Sequence, residues 1–94
     1  MSGITLAMVA HIPPAGVADF QAYEDVVLPL LAAHDGKLER RLRNGDGTLE
    51  VHVVRFASQV AFEAYRADPG RTAAADLLQR SGARVEATHV IDVD

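Results

Sequence analysis

The residues from Ile4 to Ile12 read ITLAMVAHI, and both alternating sets, Ile4/Leu6/Met8/Ala10 and Thr5/Ala7/Val9/His11, are mostly apolar. Successive side chains of a strand point to opposite faces, so such a strand has to be covered on both sides. It belongs at the centre of a sheet with another layer on each face. Pro13-Pro14 ends it, because proline donates no ladder hydrogen bond and restricts the residue before it.

The rest of the chain supplies the elements around that strand. A helix is predicted from about Gly16 to His34, where Val17, Phe20, Tyr23, Val27 and Leu31 recur at helical steps along one stripe. Pro29 removes a backbone bond inside it, which predicts a kink or a tightened last turn, and Asp35-Gly36 is the stop signal. The run KLERRLR, Lys37 to Arg43, suits a charged edge strand with Leu38, Arg40 and Leu42 on one face and Glu39, Arg41 and Arg43 on the other. Asn44-Gly45-Asp46-Gly47 is a turn signal that joins it to LEVHVVRF, Leu49 to Phe56, so residues 37–57 form a hairpin.

Ser58 is the predicted N-cap of a helix from Gln59 to about Ala67. Asp68-Pro69-Gly70 breaks that helix, and helical character resumes from Thr72 to Arg80 until Ser81-Gly82. A last strand is expected from Arg84 to Val93. The order βαββαβ, with right-handed crossovers, predicts a single α+β domain over residues 1–94: a ferredoxin-like sandwich of a four-stranded antiparallel sheet with its helices on one face.

In such a sandwich the other sheet face meets water, yet strands 1 and 3 are expected to place Val54, Phe56 and either Thr5/Ala7/Val9 or Ile4/Leu6/Met8 there. An apolar open face asks for a cover. A chain of 94 residues is also marginal alone, and 49% of it is apolar. A second copy packed sheet to sheet answers both needs, so a homodimer is expected.

Composition excludes several classes of function. With no cysteine, disulfides, thiolate catalysis and Cys-based metal sites are ruled out. The formal net charge is −4, and residues 1–36 hold four acidic residues and no Lys or Arg, which argues against nucleic acid or an anionic membrane as partner. No window approaches a membrane span, and Met1-Ser2-Gly3-Ile4-Thr5-Leu6 has no basic residue ahead of its apolar stretch, so a cytoplasmic protein is expected. An RNA-recognition sheet would need stacking aromatics where LEVHVVRF has only Phe56. A phosphate cradle would need glycines where His11-Ile12-Pro13-Pro14 has none.

The candidate chemistry lies with histidine. His11, His34, His52 and His89 are too widely spaced for a compact metal motif, so no metal is expected. A strand imidazole near pH 7 can act as acid or base, and His52 shares a face with Glu50, Val54 and Phe56. His52 is the first candidate for a catalytic base and His11, on the neighbouring central strand, the second. The plainer reading of His52 is a hydrogen-bonded structural histidine. Tyr23, Tyr65, Phe56 and Arg41 are candidates for ligand binding. The plain readings are core rings whose hydroxyls reach the rim or a backbone group and, for Arg41, a solvated charge paired with Glu39 or Glu86. His34, just before Asp35-Gly36, reads as a helix C-terminal residue favoured by the dipole.

Four segments carry a resemblance: Tyr23-Glu24-x-x-Val27-Leu28-Pro29-Leu30-Leu31-x-x-His34; Gly36-x-Leu38; Glu50-Val51-His52-Val53-Val54-Arg55-Phe56-x-Ser58; and Ala64-Tyr65-x-x-Asp68-Pro69. Together they resemble the NIPSNAP-like and allied families of the dimeric α+β barrel superfamily, over about residues 4–93. That superfamily also holds antibiotic-biosynthesis monooxygenases, haem-degrading enzymes and muconolactone isomerase-like proteins. The resemblance implies a homodimer with an internal pocket for a small, partly apolar organic molecule, and allows a cofactor-independent monooxygenase or isomerase. The alternative is a non-catalytic accessory or dimerisation module, whose histidines would be exposed and whose pocket would be missing.

Overall fold

The computed structural model describes residues 3–94, so the expectation drawn from Met1 and Ser2 lies outside the described residues. The elements follow the predicted order: β1 (Ile4–His11), α1 (Val17–Val27), β2 (Gly36–Arg43), β3 (Leu49–Phe56), α2 (Gln59–Arg66), α3 (Pro69–Ser81) and β4 (Arg84–Val90). The strands form one antiparallel sheet in the order β2-β3-β1-β4, with β1 and β3 at the centre. No helix among the described residues is long and apolar enough to cross a membrane.

Pro29 acts as expected. The long helix changes after Val27 into a 3-10 helix, Leu28–His34, with Pro29 in its first turn, since a 3-10 turn absorbs a proline that an α-helix interior does not. Asp35, rather than Gly36, adopts the left-handed conformation that ends it, at φ 54°. Gly36 is needed for space: a Cβ there would stand 2.7 Å from the Phe56 ring. Asp68-Pro69-Gly70 is at once the break and the start of the next helix. Asp68 caps α3 by accepting from the Gly70 amide at 2.7 Å, with Pro69 in the first turn. Ser58 caps α2, accepting from the Ala61 amide at 3.1 Å. β4 ends at Val90, three residues earlier than expected; Ile91 and Val93 beyond it are 85% and 88% exposed.

Two face assignments are corrected. Val54 and Phe56 do not lie on the open face: they are 8% and 1% exposed and pack with Leu6, Leu31 and Tyr65 beneath the helices. Pairing carries Thr5, Ala7 and Val9 opposite Arg55, Val53 and Val51, so those residues form the face away from the helices. In β2 strict alternation fails because the register shifts between Leu38 and Arg40. That bulge lets Leu38, Arg41 and Arg43 all share the helix side, opposite Val54, His52 and Glu50, and leaves Leu42 outward and 44% exposed.

The core is divided. Ala10, Ile12, Phe20, Tyr23, Val27 and Ala74 form one cluster, and Leu6, Leu31, Val54, Phe56 and Tyr65 form another. Between them the sheet and helices leave room.

Candidate functional site

A cavity of about 540 Å3 lies between the helix face of the sheet and α1, α2 and α3. Its walls include Leu6, Met8 and Phe56 from the sheet and Tyr23, Tyr65 and Phe62 from the helices. β4 lines it through Val85, Ala87 and His89; α2 reaches His89 through Gln59 and Phe62, and Val85 is 40% exposed. Its polar lining includes Glu24 and His52 at one side and Arg66 and Arg71 from the helices.

Behind that wall lies a buried ionic cluster. Glu24, Glu50 and His52 are 1%, 0% and 2% exposed. Strand alternation sets Glu50 and His52 on one face, and His52 Nε2 donates to Glu50 Oε1 at 2.8 Å. Glu24 comes down from α1, its Oε2 standing 3.1 Å from the same nitrogen. Nε2 has a single hydrogen to give and Glu50 accepts it, so Glu24 Oε2 is buried without a hydrogen bond of its own. His52 Nδ1 has no protein hydrogen-bond partner among the described residues. Arg41 closes the cluster from β2, donating to Glu24 Oε1 at 2.9 Å and to Glu50 Oε1 at 3.4 Å, and Arg43 Nε donates to Glu50 Oε2 at 2.6 Å.

The two carboxyls are pushed apart. Burial raises Glu24 above the ordinary carboxylate range, and the nearness of His52 and Arg41 only partly offsets it. Burial opposes charge on Glu50 too, but the groups around it, with hydrogen bonds from His52 and Arg43 among them, outweigh that and hold it at about 2. The two shifts run in opposite directions, upward for Glu24 and downward for Glu50.

The same trio offers one nitrogen and two carboxylate oxygens within 4.8 Å of one another, a convergence that spacing along the chain did not reveal. Arg41 and Arg43 already occupy both Glu50 oxygens and Glu24 Oε1. Two guanidinium charges so close oppose a cation there, and the donor set fits an internal ion-pair network better than a metal.

The remaining candidates fall into place around this centre. Tyr23 and Tyr65 both line the cavity, but the Tyr65 hydroxyl is committed to the Val27 carbonyl at 2.9 Å. Phe56 is a wall and core residue, 5.5 Å from the Tyr65 ring centre to centre. Arg41 pairs inward with Glu24 and Glu50, not with Glu39 or Glu86, because the bulge turns it under the helices. His11 is not brought to His52: it is exposed, opposite Leu49 at the strand end, whereas His52 stands opposite Met8 on the helix face. His34 does end the 3-10 helix and in addition donates to Asp68 at 2.7 Å.

Sequence reasoning missed Glu24 and Arg71. For Glu24 a signal existed: it lies four residues after Phe20 and three before Val27, a charge within an apolar stripe. Arg71 had none, since its place over Tyr65 depends on how α2 and α3 pack.

No family model matches the chain, and no curated protein is detectably similar in sequence. Solved structures are similar in fold. Rv0793 from Mycobacterium tuberculosis superposes with a TM-score of 0.73 at 19% identity, covering 99% of this chain and 97% of that one. SnoaB from Streptomyces nogalater, a cofactor-independent oxygenase, gives 0.76 at 18% identity over 100% of this chain and 96% of its own. A protein of Nitrosomonas europaea, provisionally named an antibiotic biosynthesis monooxygenase, gives 0.77 at 10% identity, covering 94% of this chain and 88% of that one. The likeness does not single out the NIPSNAP-like branch. These likenesses show the fold: the chain folds as these solved structures do, a cofactor-independent oxygenase among them.

Proposed function

We propose that this protein binds a small, partly apolar organic molecule in the cleft between sheet and helices and moves a proton on it, with His52 as the group that takes the proton. One observation carries the reading: His52 stands in the wall of a 540 Å3 cavity with its Nε2 hydrogen committed to Glu50. That bond fixes the ring and the tautomer, so Nδ1 is the basic nitrogen left for a ligand. The volume is that of a site for one organic molecule.

Removal of a proton from an enolisable or phenolic ligand leaves a conjugated anion. Such an anion either reacts with dioxygen directly, as in a cofactor-independent monooxygenase, or is reprotonated at another carbon, as in an isomerase. Glu24, whose Oε2 lies 3.1 Å from His52 Nε2 in the cavity wall and whose pKa burial raises, is the carboxyl placed to return a proton in the second course. The name of SnoaB supports the first. In the same reading two copies pair through the open sheet face, where Thr5, Ala7, Val9, Val51 and Val53 are grouped without a helix over them.

Both courses begin with one proton removal, so exchange is the test. One- and two-ring phenols and enolisable ketones are incubated with the protein in deuterated buffer, and deuterium uptake is read by mass spectrometry. We expect uptake with at least one compound class and a loss of about 100-fold or more in His52→Gln. No uptake with any of them, or equal uptake by His52→Gln, would sink the reading in favour of an accessory module.

A further inference from the structure

Arg71 differs in its company from the two arginines of β2 that reach the ionic cluster. Arg41 and Arg43 are spent on Glu24 and Glu50. Arg71, half-buried at the start of α3, lines the same cavity yet has no carboxylate within 4.0 Å of its guanidinium among the described residues. Two aromatic residues hold it in place. Its Cζ lies 4.6 Å from the centre of the Tyr65 ring, and one Nη2 hydrogen goes to the Tyr23 hydroxyl at 3.1 Å. Tyr65 is itself fixed by its bond to Val27. A guanidinium has five N–H donors, and this one makes a single side-chain hydrogen bond among the described residues.

The charges around the cavity point the same way. The chain as a whole carries −4, but the charged side chains in the cavity wall are Arg66, Arg71 and Glu24, and burial pushes Glu24 towards its neutral form. Even with Glu24 ionised, the wall holds two guanidinium groups against one carboxylate, inside an acidic protein. A half-buried, stacked guanidinium with no carboxylate in direct contact, Asp68 acting on it only from beyond 4.0 Å, is a preformed receptor for an oxyanion, to which it can offer two parallel hydrogen bonds.

Resting on the cleft reading above, we infer that the ligand is an organic anion, and that Arg71, oriented by Tyr65 and assisted by the Tyr23 hydroxyl, binds its carboxylate or comparable oxyanion while the apolar body fills the cavity beside Phe56 and Phe62. The Tyr23 hydroxyl accepts from Arg71 and so keeps its own hydrogen free to donate to the same oxyanion. Tyr23 and Glu24 are consecutive on α1, so one helix turn links the anion site to the proton-moving centre.

The test uses matched pairs of one- and two-ring carboxylates and their uncharged primary amides, 1-hydroxy-2-naphthoate and 1-hydroxy-2-naphthamide among them. Each is titrated into the intact protein, with affinity read from amide shifts of the cavity residues. The expected result is a preference of at least tenfold for the acid over its amide. Arg71→Gln should abolish that preference while leaving amide affinity within twofold, and Arg71→Lys should keep part of it. Because the acid-to-amide ratio is read within one variant, a general loosening of the pocket does not imitate the effect. If a variant fails to fold, as its melting curve would show, the wild-type ratio still decides. Equal binding of acids and amides by the wild type, or a preference unchanged in Arg71→Gln, overturns the assignment and leaves the cleft reading intact. If no pair shifts any cavity residue, the cleft reading falls and this inference with it.

Discussion

At the scale of single residues, the chemistry depends on unequal hydrogen bonding of similarly buried groups. Glu24 and Glu50 are both carboxyls with almost no exposure, yet only Glu50 receives hydrogen bonds at both oxygens. Removing its charge should therefore cost more than removing that of Glu24. Glu50→Gln is expected to lose about 3 kcal/mol, the low end for breaking a buried ion pair, because Arg41 and Arg43 are 36% and 38% exposed and can turn to water. Glu24→Gln should lose less; urea denaturation of both variants checks the order. The pH dependence follows from the directions of shift. A carboxyl held at about 2 against an ordinary 4.5 contributes stability in full above pH 4.5 and loses it as pH falls towards 2. Glu24, shifted upward, contributes in full below 4.5 and loses its share as pH rises through its folded value. Stability measured from pH 7 down to pH 2 should fall in the acid range, and the fall should be shallower in Glu50→Gln.

At the scale of elements, helix placement is set by one close approach. A Cβ on Gly16 would collide with the Ser81 carbonyl, so the entry to α1 packs directly on the end of α3. Neither backbone can yield cheaply, and Gly16→Ala should destabilise by about 3 kcal/mol or more, visible as a shifted denaturant midpoint with the m-value retained. The element boundaries were largely legible, because proline, capping residues and the Asn44–Gly47 turn act locally. The face of β2 was not. Alternation put Leu38 and Leu42 together, and the bulge that separates them is a property of the β2–β3 pairing. The same slip of one residue decides whether Arg41 points at water or at Glu24.

At the scale of the whole molecule, the sheet has one face that the chain does not cover. Ala7, Val9, Val51 and Val53 lie on it, and Leu42 and Val90 at its margins are 44% and 38% exposed. If two copies close over that face, Val53→Asp should place a carboxylate in the interface and yield a monomer, whereas the wild type sediments as a dimer at micromolar concentration. A wild-type species of 10 kDa independent of concentration would remove the pairing from the account. Val53 is remote in pairing terms from the cavity, on the opposite face to His52 and Val54. The variant therefore also asks whether the cleft binds ligand without a second copy.

The order of elements, the central place of β1, the proline-tightened turn after Val27 and the caps at Ser58 and Asp68 were determined by the sequence alone, since each depends on residues within a few positions of one another. The pairing of His52 with Glu50 was half-visible for the same reason, two residues apart on one strand face. The tertiary structure alone decided that this face lies under the helices and not on the open side. It also decided that α1 brings Glu24 down to meet it and that α3 lays Arg71 over Tyr65. Those contacts join residues 17 to 48 positions apart or span separate elements, and no local propensity encodes them. They follow from burying two apolar helix stripes on one twisted sheet, which brings polar groups from distant parts of the chain to the same cavity wall.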